Sequence, residues 1–214
     1  MTTDTTSTAP GQELVLTFAE LEALLANTPA WPSVRGAMNT HPPADKQIAL
    51  AGLATLLIRG LATFNPQKNQ PDVAPSVTEV VARLGKATVA IGVTRAEIDE
   101  GTLSPILLCA HGATGDRAMI RVIGPGILAL SPLINQGDIF DQAAVLTAAL
   151  LEEHEGHDGA VMVKPQGKPA LTVRKVANRW EVADSVPQGH AQFRQVSRDE
   201  ALAAVRACAR KSLA

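Results

Sequence analysis

Apolar positions in the middle of the chain come in short runs broken by turns. Residues 105–110 form one such run, ending at the turn His111-Gly112-Ala113-Thr114-Gly115-Asp116. Residues 117–124 alternate, with Ala118, Ile120 and Val122 in register, and residues 127–133 resume after Gly124-Pro125-Gly126. Period two predicts strands. Residues 139–151 are then apolar at helical spacing, with Asp138 or Asp141 available as N-cap. A similar order recurs in strands predicted over 160–164, 171–176, 179–183 and 191–196, before a helix over 198–211. Residues 117–133 correspond to 179–196, and 139–151 to 198–209, in element order rather than identity. The expected fold class is α+β: a mainly antiparallel sheet with two quasi-repeated βββα halves and an N-terminal helical layer. Hairpin-length links make antiparallel pairing the expectation.

The N-terminal third predicts helices. A short β-like run, 14–16, precedes Thr17-Phe18-Ala19-Glu20, a capping box that opens a helix to about Asn27. Thr28-Pro29 stops it. Trp31-Pro32 and His41-Pro42-Pro43 bracket a segment that reads as irregular. A second helix runs from about Ala44 to Gly60, which is suited to a left-handed cap. Residues 65–74 read as a polar loop with prolines. Ser76-Val77-Thr78-Glu79 resembles another capping box, opening a helix over 77–84 that Gly85 ends. A strand over 87–94 and a charged loop over 95–104 lead into the first half. In the second half Ala177-Asn178 reads as a tight turn because Asn tolerates positive φ. Ser197-Arg198-Asp199-Glu200 is a third capping box. The expected division is a disordered tail at 1–12, a first part at 13–151, a link at 152–159 and a second half at 160–214, fused in one domain overall.

Composition narrows the function classes. Hydrophobic residues make up 46% and charged residues 19% of the 214, the profile of a globular chain with a sizeable core. A formal net charge of −2 argues against nucleic acid as partner, because such binding rests on clustered Lys and Arg. The N-terminal helices carry no basic recognition helix, so they read as a packing or partner-binding layer rather than a DNA-binding unit. No apolar run reaches the roughly 18–20 residues of a membrane span, and the Thr-rich start lacks the apolar core of a secretory signal. Cys109 and Cys208 read as small buried hydrophobes in a reducing compartment, which points to the cytoplasm.

Candidate chemistry is sparse. His154 and His157 lie three apart, among Glu152, Glu153, Glu155 and Asp158. Gly156 and Gly159 make the stretch a loop, and no third His or Cys lies near, so it reads as a solvated link rather than a metal site. The 111–116 turn lacks the Gly-Lys-Ser/Thr ending of a phosphate loop, and no Gly-x-Ser-x-Gly elbow occurs. No catalytic, cofactor-binding or metal-binding residue is assigned.

Several short motifs together resemble the EspG family of actinobacterial type VII secretion proteins. Leu16-Thr17-x-x-Glu20-Leu21 is similar to that family's opening helix, and Arg59-Gly60-Leu61 to the end of its next one. Gly115-Asp116-Arg117-Ala118, Leu128-Ala129-Leu130-Ser131-Pro132 and Arg179-Trp180 with Asp184 and Gly189 resemble later elements. The chain is shorter than typical members, and the late Asp-Thr-x-x-Gly-Arg-like run is only partly present. The resemblance implies a cytosolic chaperone, without catalysis or cofactor. It would shield the apolar tip of a helical-hairpin substrate, often of PE/PPE type, before export. An immunity or adaptor protein, and a small-molecule enzyme or sensor, are the alternatives on a similar frame. In the second half, Leu171, Val173 and Lys175 alternate with Thr172, Arg174 and Val176. One helix covers only part of a shared sheet, so a partner surface is expected there. Trp180 and Val182 would be its apolar anchors, with Arg174, Arg179 and Arg194 at the rim, the open alternative being that Trp180 is simply core.

Overall fold

A computed structural model of the chain describes residues 13–37, 46–97, 104–133, 137–152, 159–184 and 192–213. Among them one antiparallel sheet of nine strands organises the molecule. Its strands are β1 (Leu14–Thr17), β4 (Val89–Glu97), β5 (Ser104–Ala110), β6 (Arg117–Gly124), β7 (Ile127–Pro132), β8 (Gly159–Pro165), β9 (Leu171–Val176), β10 (Arg179–Ala183) and β11 (Arg194–Val196). Their order is β1-β7-β6-β5-β4-β8-β9-β10-β11. A small separate hairpin joins β2 (Ala62–Asn65) to β3 (Gln70–Val73).

The order makes the internal repeat visible. Strands β4 to β7 form one meander and β8 to β11 another, running outward in opposite directions from the central pair. There Val93 faces Val163 and Arg95 faces Val161. Each meander ends in a helix, α5 (Ile139–Glu152) and α6 (Arg198–Arg210). The repeating unit thus has four strands rather than three, because β4 belongs to the first half.

α5 and α6 pack side by side on one sheet face. Asp141 and Asp138 at the start of α5 meet Arg206 (2.6 Å) and Arg210 (3.5 Å) at the end of α6. Glu152 at the end of α5 meets Arg198 at the start of α6, 2.8 Å away. The helices are therefore antiparallel, as a two-fold repeat requires. Under them lies a core that includes Val89, Ile91 and Val93 of β4, with Phe140, Val161, Val163, Val173 and Val205.

The other face of the first half is covered by α1 (Phe18–Leu25), α2 (Trp31–Ala37), α3 (Lys46–Ile58) and α4 (Pro75–Gly85). Leu16, Leu21, Leu25, Trp31, Leu56 and Leu84 pack there against Leu107, Cys109 and Ile120 of the sheet. α1 is bracketed by the expected capping box: Glu20 N–H donates to Thr17 Oγ1 (3.1 Å), and Thr17 N–H donates to Glu20 Oε2 (2.7 Å). α6 opens on the same device at Ser197 and Glu200. α3 ends as expected: Gly60 has φ +69°, Gly60 N–H bonds to Leu57 O and Leu61 N–H to Leu56 O. At α5 the choice between two caps resolves to Asp138, whose Oδ1 accepts from Asp141 N–H at 2.7 Å.

Several local expectations are corrected. The Ser76–Glu79 capping box does not form: α4 starts two residues earlier, on Pro75, Ala74 is its N-cap, and Glu79 bonds Arg83 instead. The segment after Trp31 is helical, because Pro32 falls in the first turn where a missing N–H is harmless. Its anchor is Glu22, which accepts from Trp31 Nε1 at 2.9 Å and lies 3.6 Å from Arg35. Residues 65–74 hold most of a hairpin rather than a loop. Asn65 Nδ2 donates to Asp72 (2.7 Å), Lys68 pairs with Asp72 (3.1 Å), and Asn69 takes φ +50° in the turn. In the β9–β10 turn, Ala177 rather than Asn178 carries the positive φ, +50°. The strand expected at 87–94 extends to Glu97, so Arg95 belongs to the sheet rather than to a loop.

Candidate functional site

Register decides what the five expected partner-binding residues can do. Val182 lies opposite Val173 and Arg194, and Trp180 opposite Lys175 and Val196. Glu181 lies opposite Arg174 and Gln195. Since side chains alternate, Trp180, Val182 and Arg194 share one sheet face, while Arg174 and Arg179 lie on the other. The expected surface is therefore divided, and this corrects the picture of one platform with apolar anchors and a basic rim.

The two anchors lie inside the protein. Trp180 is 6% exposed and Val182 is 4% exposed, both in the core beneath α6. The Arg198 guanidinium stands 5.9 Å from the centre of the Trp180 ring and pairs with Glu152, closing the ring's outer side. Arg194 is exposed on the edge strand.

On the opposite face Arg174 Nε donates to Glu181 at 2.6 Å, and the Arg174 guanidinium stacks 3.7 Å from the centre of the Phe193 ring. Arg179 is exposed beside the hairpin turn. Thr172 and Ala183, paired across β9 and β10 on this face, are buried. It is not an open apolar platform either.

The N-terminal layer contains polar chemistry that residue types alone did not reveal. Glu20 is completely buried, yet its carboxylate is saturated. Arg59 Nη1 donates to Oε1 (2.9 Å) and Oε2 (2.7 Å), and Thr17 N–H donates as well. Arg59 Nη2 donates to Val15 O at 3.0 Å and so occupies a carbonyl of the edge strand β1. One guanidinium thus ties the end of α3 to the start of α1 and to the sheet edge. The available signal was the capping box itself, which fixes the Glu20 carboxylate beside the backbone and leaves it needing a cation once buried. Removing that cation strands a buried charge. Arg59→Met is expected to cost about 2–3 kcal/mol, at the low end for a broken buried pair because Arg59 itself is part-exposed. Urea unfolding checks this, and the double variant with Glu20→Gln should recover a measurable part of the loss.

The other chemistry-bearing residues have structural placements. Cys109 and Cys208 are free and buried, and burial pushes the Cys109 thiol up to about 12, far from a reactive thiolate. Among the described residues, no group of three or more His, Cys, Asp and Glu could hold a metal. The His154/His157 pair lies outside those residues. His111 Nδ1 lies 2.9 Å from Lys86 O, holding the 111–116 turn to the end of α4. No helix of the described residues is long and apolar enough to cross a membrane.

Exposed apolar side chains concentrate in two places. One is the outer part of the first meander, where Val15, Ile123 and Ile127 sit near the Glu13–Arg121 pair. The other is α3, with Leu50, Leu57 and Ile58. Compared with models of protein families and with curated proteins, the chain matches none.

Proposed function

We propose that the protein is a non-enzymatic chaperone or adaptor of the cytoplasm, which binds a helical-hairpin substrate of a type VII secretion system and keeps it soluble for export. One observation carries this reading beyond the short motifs. The two N-terminal motifs that resemble the EspG family, around Thr17–Glu20 and around Arg59-Gly60, meet in space through the Glu20–Arg59 pair. They form one packed unit, and that supports the reading. The paired meanders with helices on both faces of the first half suit a rigid frame for protein binding, and the exposed Val15, Ile123 and Ile127 supply contact area.

The test is co-expression with a PE/PPE-type pair from the same genome. The expected result is a soluble complex that co-elutes, with the pair aggregating in its absence. A pair equally insoluble with and without this chain would sink the reading. Within that reading Trp180 and Val182 stay in the core, and Arg174, Arg179 and Arg194 remain available only as separate polar contacts.

A further inference from the structure

We infer that α3 is the seam of a homodimer, formed by antiparallel packing of its outer face on the same face of a second copy. This inference is independent of the chaperone reading. It begins with a helix that is apolar all round: residues 47–58 contain no Asp, Glu, Lys or Arg. A helix on the outside of a monomer normally turns a charged face to water. Here Leu50 is 65% exposed, Ile58 86% and Leu57 36%, with Ala51 and Ala54 exposed between them.

The exposed face cannot be turned inward. On its other side α3 lies on α1 with backbone contact. A Cβ added at Gly52 would fall 1.9 Å from Ala19 O and 2.2 Å from Ala19 C. Leu56 on that side is fully buried. The rotation of α3 is thereby fixed, and Leu50, Ala54 and Ile58 face away from the protein's own core.

The pattern on the outer face identifies the occupant. Gln47, Leu50, Ala54 and Leu57 follow the alternating three–four spacing of a two-helix seam. Centred on Ala54, that seam is its own complement when two copies run antiparallel. Leu50 then meets Ile58 of the other copy, Ala51 receives Leu57, and the two Ala54 residues allow close approach at the axis. Such an isologous contact closes as a dimer and leaves no free end for further growth.

Charge agrees with the direction. In this register Lys46 at the start of α3 lies opposite residue 62, about one turn past Ile58, and its flexible stem carries the ammonium back toward the C-terminal end of the opposing α3, where the helix dipole favours a cation. That last turn has no basic residue of its own. Arg59, just beyond it, is directed to Glu20 and Val15 O, and Glu20 offsets its charge. A helix of about 20 Å gives less than the roughly 800 Å² per partner of a standard interface. The dimer is therefore one that dissociates on dilution.

Sedimentation velocity on the full chain, from low micromolar to millimolar, tests the state. The expected result is a concentration-dependent monomer–dimer equilibrium. Ile58→Glu, at the most exposed apolar residue of the face, should weaken it about tenfold or more, the loss that an interface anchor brings. At low micromolar concentration, where the wild type is expected to be monomeric, its melting curve should be unchanged. Oxidation of Ala54→Cys tests the register: it should give a covalent dimer, because only the axial residue meets its own copy. Leu50→Cys alone should not cross-link, whereas Leu50→Cys mixed with Ile58→Cys should. Both native cysteines are buried and do not compete in the folded protein. A wild type that stays monomeric at millimolar concentration overturns the inference and leaves the face to a foreign helix. A dimer indifferent to Ile58→Glu, or one that cross-links through Leu50→Cys and not Ala54→Cys, overturns it equally.

Discussion

Val173→Asp is expected to abolish cooperative folding, while Arg174→Ala, one residue along, is expected to leave the protein folded and close to wild type. Val173 is completely buried, and its cross-strand neighbours are the buried Val161 and Val182. A carboxylate there faces the apolar underside of α5 and α6 among valines. It must either be buried charged without a partner or take up a proton to become neutral, and both routes are costly. A loss of about 5 kcal/mol or more is expected, comparable with the whole stability of many domains. Arg174 points the other way and gives up only a half-exposed pair with Glu181 and its stacking on Phe193. That change should cost about 1 kcal/mol or less. Thermal unfolding by circular dichroism reads both. If Val173→Asp melted like the wild type, α6 would not cover this face, and Trp180 and Val182 would again be candidates for a partner surface.

That contrast also marks what could be read from residues alone. Alternation in 171–176 and 179–183 located two strands and assigned their residues to two faces. It could not say which face the helices take, because both faces of β9 carry apolar and basic residues. The deciding fact is long-range: α5 arrives from the other half and shares the face with α6, leaving no room above Trp180. Caps were legible at Thr17 and Ser197, and the Thr17 box forms with Arg59 sharing the Glu20 carboxylate. The same spelling at Ser76 failed because Pro75 already satisfies the first-turn geometry and Arg83 takes the Glu79 carboxylate. Prolines misled twice, at Pro32 and Pro71. Each occupies a position where its missing N–H is tolerated, the first turn of α2 and a strand of a two-stranded hairpin. The repeat was legible because hairpin lengths and helix periodicity are local. The strand over 87–94 was legible, but its place in the repeat was not, because its pairing with β8 joins residues about seventy apart in sequence.

The Glu20–Arg59 pair shows the same limit. Each residue was visible in its own motif, but the ion pair spans 39 positions and depends on how closely α3 can approach α1. That distance is set by a glycine rather than by a charged residue.

Gly52→Val is accordingly expected to be among the most damaging single changes in the N-terminal layer. The space a side chain would need at residue 52 is filled by backbone: Ala19 O at 1.9 Å, Ala19 C at 2.2 Å and Glu20 N at 2.7 Å from the added Cβ. Backbone cannot swing aside as the end of a flexible side chain can, so α3 must rise from α1 or tilt. Either movement pulls Arg59 from the Glu20 carboxylate and lifts Leu56 out of the core it shares with Leu21 and Leu25. Overpacking usually costs about 1–3 kcal/mol. The uncompensated charge adds to it, so a total of about 4 kcal/mol or more is expected, a fall in melting temperature of about 8–16 °C for a chain of this size. Gly52→Ala is the discriminating variant. Intrinsic helix propensity alone would make it stabilising by nearly 1 kcal/mol, whereas a backbone clash makes it destabilising. A higher melting temperature for Gly52→Ala would show that α3 does not lie directly on α1, and the fixed orientation of Leu50, Ala54 and Ile58 toward solvent would fall with it. A lower one, with a smaller loss than Gly52→Val, is the expected order.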